Sequence, residues 1–287
     1  MFQVNSTGGS MTVTNHRSSA APTRDELRSA GLDYSVEGAI AQIVLCAPER
    51  RNTQTPAMWR ALAALGLAMP DEVRVVILRA EGPSFSAGLD RSMLNTDVDV
   101  ETVRDLLSGT DIAAARTIGE YQQAFLFLRD PNFISIAAVQ GHAVGAGFQL
   151  ALACDIRIVA DNATFCMKEP ALGLVPDLTG LRPLVRQVGY ARALEVCVRA
   201  RNIDAQEAAT LGLAHSVVSV DALASEVDAF AASVLQSDTE AVRETKRLLQ
   251  SAENLDLEHQ RVLESAAQVR RLRALASGQT DSDAQRF

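Results

Sequence analysis

Paired cysteines, clustered histidines and an excess of positive charge are all missing from this chain of 287 residues. Its four cysteines, Cys46, Cys154, Cys166 and Cys197, show no CxxC spacing and lie mostly in apolar runs. That argues against a disulfide framework and for reduced, buried thiols of a cytoplasmic protein. The four histidines stand far apart, with no HExxH or related spacing, so no metal site is expected. The formal net charge of −8 gives no electrostatic reason to bind nucleic acid. No apolar run approaches the length of a membrane span, and the first residues lack a charged segment leading into an apolar one. Neither membrane insertion nor a secretion signal is expected. A dinucleotide fingerprint fails because no GxGxxG is present. A phosphate P-loop fails for want of GK[ST].

What is present is a hydrophobic fraction of 47%, enough for a substantial core. Residues 1–30 read as a disordered leader, the stretch 1–24 being rich in Ser, Thr, Asn and Gly. From Asp33 a strand pair turns at Gly38. A helix follows over 57–68, with Thr55 as its N-cap and Pro56 at its first position. The run Val73–Leu78 reads as a buried strand. Asn95–Thr110 shows no clear pattern. A helix over 112–129, a strand over 134–139, a helix over 145–153 and further short strands and helices extend to 218. Strands alternating with helices predict an α/β layer structure over 31–220. Residues 221–287 read as a helical region with an apolar stripe that must pack on its own body or on a neighbour.

Two glycine-bearing segments each follow an apolar strand: Ser86-Ala87-Gly88-Leu89-Asp90 and Gly141-His142-Ala143-Val144-Gly145-Ala146-Gly147. Gly88 permits a turn closed to other residues, and glycines at 145 and 147 let backbone approach a ligand. Free N–H groups at a helix start favour negative charge. Together the segments suggest two backbone N–H donors aimed at one oxygen. Plain helix–strand packing also favours glycine, and that reading stays open at this level. Two acids follow. Glu169 precedes Pro170, and Asp177 follows Pro176. Carboxylates in apolar, proline-stiffened loops are either caps and ion pairs, with Lys168 or an arginine as partner, or proton carriers raised in pKa by desolvation.

The stretch from Tyr34 to Lys246 resembles the crotonase superfamily, the enoyl-CoA hydratases and isomerases. Its strongest segment runs from Ala137 to Gly189. There a hydrophobic strand, GxxxGxG, an apolar helix, a CDIRI strand and a loop acid follow in order, and FSAGLD lies at fitting distance upstream. The resemblance implies an α/β fold, a crotonase-like spiral of ββα turns, with C-terminal helices that form a trimer, and trimers that pair into hexamers. It implies an acyl-CoA thioester as substrate, with coenzyme A entering as part of that substrate and no other cofactor. Leu89 and Ala146 match the two oxyanion donors. Arg50, Arg51, Ala87, Gly88, Asp90, Gly145 and Lys246 match positions near the coenzyme A portion or the thioester.

The chain departs from the hydratase pattern in two places. Of the two glutamates typical of hydratases, one matches Glu169, but the other falls on Gln149, whose amide cannot exchange a proton at neutral pH. Asp177 stands where hydratases have glycine and looks like the dienoyl-CoA isomerase branch, whose further aspartate, at position 149, is also missing. The favoured expectation is therefore double-bond isomerisation, with Glu169 as base, Asp177 as auxiliary acid and Gln149 as polar orienter. Addition of water to a 2-enoyl-CoA in fatty-acid oxidation is one alternative. A non-catalytic acyl-CoA-binding protein is another.

Overall fold

The computed structural model describes residues 21–94 and 101–278. The first described element is a short helix, α1 (Arg24–Ser29), which falls inside the expected leader. Thr23 caps it and Glu26 returns a bond to the Thr23 backbone, while Leu27 is buried. A capping box and one anchored leucine thus order the chain from Thr23, so the leader cannot reach to residue 30. Residues 1–20 lie outside the described residues.

Strands β1 (Leu32–Glu37) and β2 (Ile40–Leu45) form the expected hairpin, in register from Leu32↔Leu45 to Glu37↔Ile40. After helix α2 (Pro56–Leu67) comes β3 (Val75–Ala80), which lies parallel to β2. The stretch left without pattern contains one short helix, α3 (Val103–Leu106), capped by Thr102. Helix α4 (Asp111–Leu126) leads to β4 (Ile134–Val139). Then come β5 (His142–Val144), α5 (Ala146–Ala153), β6 (Ile156–Ala160), β7 (Thr164–Cys166), α6 (Leu181–Val188), α7 (Tyr190–Arg199), β8 (Ile203–Asp204), α8 (Ala205–Thr210) and β9 (Ser216–Val218).

The large sheet has the order β1-β2-β3-β4-β6-β9, parallel throughout except for the hairpin. A small sheet, β5-β7-β8, stands beside it. Both faces of the large sheet are covered. Val76 and Leu78 enter the main core, with Phe85, Phe125, Phe148 and Phe165, while Val75 and Ile77 face Leu223, Val227 and Ala231 of helix α9 (Leu223–Leu235). Double-sided burial is why β3 reads as one continuous apolar run and not as an alternation. All eight residues of α5 are buried, which makes it the central helix of the fold.

Helices α10 (Thr239–Ala252) and α11 (Leu257–Ala276) pack on each other. Their attachment to the body is polar: Arg243 donates to the Asn132 and Asp71 carbonyls and Gln250 to the Arg129 carbonyl. Much of their apolar stripe, including Leu249, Leu257, Val262, Val269 and Leu272, is exposed. All four cysteines are free, three buried and Cys46 half-buried.

Candidate active site

Strand β3 ends at Ala80, and the loop that follows is tied at three points. Ser86 bridges to Ala143 of β5, Gln54 bridges to Leu89, and the Ala87 N–H donates to the Arg51 carbonyl. The bridge to Gln54 uses the Gly88 carbonyl and the Asp90 N–H, so the Leu89 N–H between them is left out of the pairing. Ala146 is the first residue of α5, where an N–H has no intrahelical partner. Among the described residues, neither of these two amides donates a hydrogen bond. They are neighbours in space. A Cβ built on Gly88, whose φ is +87°, would lie 3.5 Å from the Ala146 nitrogen and 2.4 Å from the Val144 carbonyl oxygen. Only glycine fits there. A Cβ on Gly147 would lie 2.5 Å from the Ser86 carbonyl oxygen, which is how closely α5 is pressed on the loop.

A buried polar network that the sequence reading missed holds this loop. Ser86 Oγ donates to the Asn52 carbonyl at 2.7 Å and accepts from Gly88 N–H and Gln54 Nε2, both at 3.2 Å. Trp59 Nε1 donates to Gln54 Oε1 at 2.8 Å. Asn52 Nδ2 donates to the Glu81 and Ser84 carbonyls, and its Oδ1 accepts from Ala47 N–H. Asn52, Gln54 and Ser86 are each fully buried, and together their bonds tie the loop over 81–88 to the segment 47–59. A buried network satisfied in this way rigidifies its surroundings. Nothing in the spacing of Asn52, Gln54 and Trp59 signals it, because the partners meet only when α2 packs under the loop.

The acids sit opposite. Glu169 is 9% exposed. A Cβ on Gly145 would lie 3.3 Å from Glu169 Oε1, so this carboxylate is packed against the residue preceding the Ala146 amide. Gln149 Nε2 donates to Glu169 Oε1 at 2.7 Å. The amide's orientation is fixed from its far end: Gln149 Oε1 accepts from Leu178 N–H at 2.9 Å and Gly180 N–H at 3.2 Å. Two donors demand an oxygen, so the nitrogen must face Glu169. Glu169 Oε2 is buried with no hydrogen-bond partner. Burial raises the Glu169 pKa, and the charge of nearby Asp177 adds to the rise, against the bond from Gln149. Asp177 is more exposed, and the apolar walls beside it raise its carboxyl as well.

Ala87, Gly88, Leu89, Gly145, Ala146, Glu169 and Asp177 line one cavity of about 310 Å³, whose walls are otherwise mainly apolar. Gln149 lies behind Glu169 and does not line it. Arg50, Arg51 and Asp90 are also off the lining. Arg50 stands 3.8 Å from Asp90, and Arg51 is exposed. Burial alone would raise Asp90, but bonds from Ser92 and Thr53 and the charge of Arg50 outweigh it and hold its carboxyl low.

Lys246 requires a correction. It does not face a ligand site: it is 6% exposed, and its Nζ donates to the Phe133 carbonyl at 2.7 Å and to Asp155 Oδ2 at 2.6 Å, over the Phe133 ring. Taking an ammonium out of water is tolerated only with such partners, and they leave it no free face for a phosphate. Among the described residues no group of three or more His, Cys, Asp or Glu is placed to hold a metal ion, and no helix is long and apolar enough to cross a membrane.

A sequence profile described as Enoyl-CoA hydratase/isomerase matches residues 35–274. The Bacillus subtilis protein named "Putative enoyl-CoA hydratase/isomerase YhaR" is 32% identical over 240 residues, covering 83% of this chain and 89% of its own. A "putative enoyl-CoA hydratase" from Thermobifida fusca YX has been solved in complex with CoA. It superposes with a TM-score of 0.86 at 49% identity, covering 90% of this chain and 99% of that one. In complex with acetoacetyl-CoA it gives a TM-score of 0.85 at 50% identity, covering 88% and 99%.

Proposed function

Because the chain belongs to the enoyl-CoA hydratase/isomerase family, we propose that its site shifts a carbon–carbon double bond in an enoyl-CoA thioester, with Glu169 as the one proton-transferring group beside C2. The observation that supports this reading is the Gln149 amide. It occupies Glu169 Oε1 and is itself held by two backbone N–H groups. A single carboxylate oxygen, Oε2, is then left to exchange protons.

The thioester oxygen accepts from the Leu89 and Ala146 N–H groups. Ala146 adds the positive end of an eight-residue buried helix. As Glu169 Oε2 takes the C2 proton, negative charge moves onto that oxygen, and the two donors stabilise it. The double bond moves and the proton returns at C4 from the same acid. A raised pKa suits the reversal, since the group must both take and give. Asp177, further along the wall, serves protons at a more remote carbon. Ala87, Gly88 and Gly145 shape the thioester seat, and Arg50, Arg51 and Asp90 lie on the side where the coenzyme A nucleotide leaves it. Residues 31–220 hold this machinery. The exposed apolar stripe of the helices after residue 221 packs copies of the chain into a homotrimer, or a hexamer of two trimers.

Water addition is the second reading. What favours it is the 49% identical Thermobifida fusca protein, which carries the name "putative enoyl-CoA hydratase". Incubation of 2-enoyl, 3-enoyl and 3,5-dienoyl thioesters in ordinary and deuterated water, read by mass and NMR, separates the two. Unchanged mass with a moved double bond, and deuterium at C2 or C4, supports the isomerase. Gain of one water from a 2-enoyl thioester replaces it with the hydratase.

A further inference from the structure

The apolar end of the cavity has a wall that the core does not hold. Val103 and Leu106 of α3 form that wall, while Met93, Leu94, Ile118 and Tyr121 line the rest of that end. Helix α3 has four residues and none of them is buried. A helix that short does not stand by propensity. Its own capping box, in which Thr102 and Asp105 exchange bonds, shapes the turn but attaches it to nothing else. Among the described residues, its side-chain tie to the body is Glu101. Its carboxylate takes both arms of Arg60 on α2, at 2.6 and 3.0 Å, and the hydroxyl of Tyr121 on α4. Arg60 also lies over the Tyr121 ring, 5.3 Å from its centroid. Neither Glu101 nor Arg60 lines the cavity.

We infer that the Glu101–Arg60–Tyr121 cluster is a latch that sets the depth of the acyl pocket, making Glu101 a positioning residue for chain-length selectivity. The inference rests on the acyl-CoA reading of the same cavity. Two elements of the core, α2 and α4, hold one carboxylate, and that carboxylate fixes the start of α3, a helix on the acyl wall with no buried residue of its own. With the latch closed, Val103 and Leu106 stand against Tyr121, and short acyl chains fill the space. With the latch broken, α3 withdraws, short chains lose contacts and longer chains gain room. Each methylene gained or lost in such a pocket changes discrimination by about tenfold or more.

The test measures binding of butyryl-, octanoyl- and dodecanoyl-CoA by calorimetry, together with kcat and KM for the matching 3-enoyl thioesters. Glu101→Ala and Arg60→Glu are each expected to shift the ratio of long-chain to short-chain affinity by about tenfold toward the long chain, through KM with kcat little changed. The exchanged pair Arg60→Glu with Glu101→Arg is expected to restore the wild-type ratio. An unchanged ratio in both single variants overturns the latch. A uniform loss of kcat at every chain length, with a lowered Tm and no rescue by the exchanged pair, also overturns it. A wild-type protein that binds none of the three thioesters overturns the acyl-CoA reading and this inference with it.

Discussion

The two walls of the cavity are built differently. The wall at residues 87–89 and 144–146 is backbone, pressed between a central helix and a small sheet and wired by three fully buried polar side chains. The wall of Met93, Leu94, Val103, Leu106, Ile118 and Tyr121 is side chain, apolar, and carried partly on a helix with no buried residue. Geometry that must place charge within fractions of an ångström sits where packing cannot yield. On our proposal, geometry that matches the length of a carbon chain sits where the Arg60–Glu101 pair holds it.

Substitutions on the first wall should therefore strike turnover, and those on the second should strike selectivity. The largest effect is expected at the acid between them. Glu169→Gln keeps the shape and the bond from Gln149 but removes the proton carrier, and kcat should fall by about a thousandfold. The same variant sharpens the comparison through stability. The Glu169 pKa is raised in the fold. The fold thus favours the protonated form: its contribution is full in acid and is lost as pH rises through the raised value. The Tm difference, Glu169→Gln minus wild type, should therefore grow between about pH 4 and about pH 8. A difference that shrinks over that range would remove the desolvation argument.

Next in size is Gly88→Ala. The new Cβ meets the Val144 carbonyl oxygen at 2.4 Å on a backbone of positive φ, so the loop must move and the Leu89 donor with it. Loss of about a hundredfold in kcat is expected, the range for one oxyanion donor, with KM for the thioester little altered. Smaller again is Ser86→Ala, which removes the acceptor of the Gly88 N–H and the partner of Gln54. Leaving such buried groups unpaired costs about 1–3 kcal/mol, readable as a lower Tm. Because Ser86 supports the lining residue Gly88 without lining the cavity itself, a selectivity change without a change in kcat would mean the walls are not distinct. The smallest effect is expected far from both walls. Lys246→Met leaves Asp155 without its cation but keeps most of the packing, and should lower Tm while leaving kcat and KM within about twofold, since each is set elsewhere.

Much of the fold was legible along the chain. The parallel strands at 75–80, 134–139 and 156–160 stand within a few residues of their expected places, because strands buried on both faces are written as mainly apolar runs, interrupted here by Ser135 and Arg157. The strand His142–Val144 was not legible, since three residues carry no period and its partners, β7 and Ser86, come from elsewhere in the chain. Nor was α1: Thr23 and Glu26 form a capping box in a stretch whose composition suggests no structure. The glycine loops and the two carboxylates were readable as a pattern and do meet at one cavity. Lys246 was misread because a basic residue in a helical tail looks the same whether it faces solvent or is buried. The segment 95–100, part of the stretch read without pattern, lies outside the described residues.

The order of residues alone determined the alternation of strand and helix, the glycines that let two chain segments touch, and the acids that follow them. These are properties of neighbours along the chain: steric freedom, hydrophobic period and cap chemistry act over a few residues. Which way the Gln149 amide points, which Glu169 oxygen is left free, that Ser86 is a hub and that Lys246 is buried were decided only by the folded molecule. Each depends on partners 20 to 113 positions apart, and a hydrogen bond or a desolvation cost exists only once the chain has brought those partners into contact.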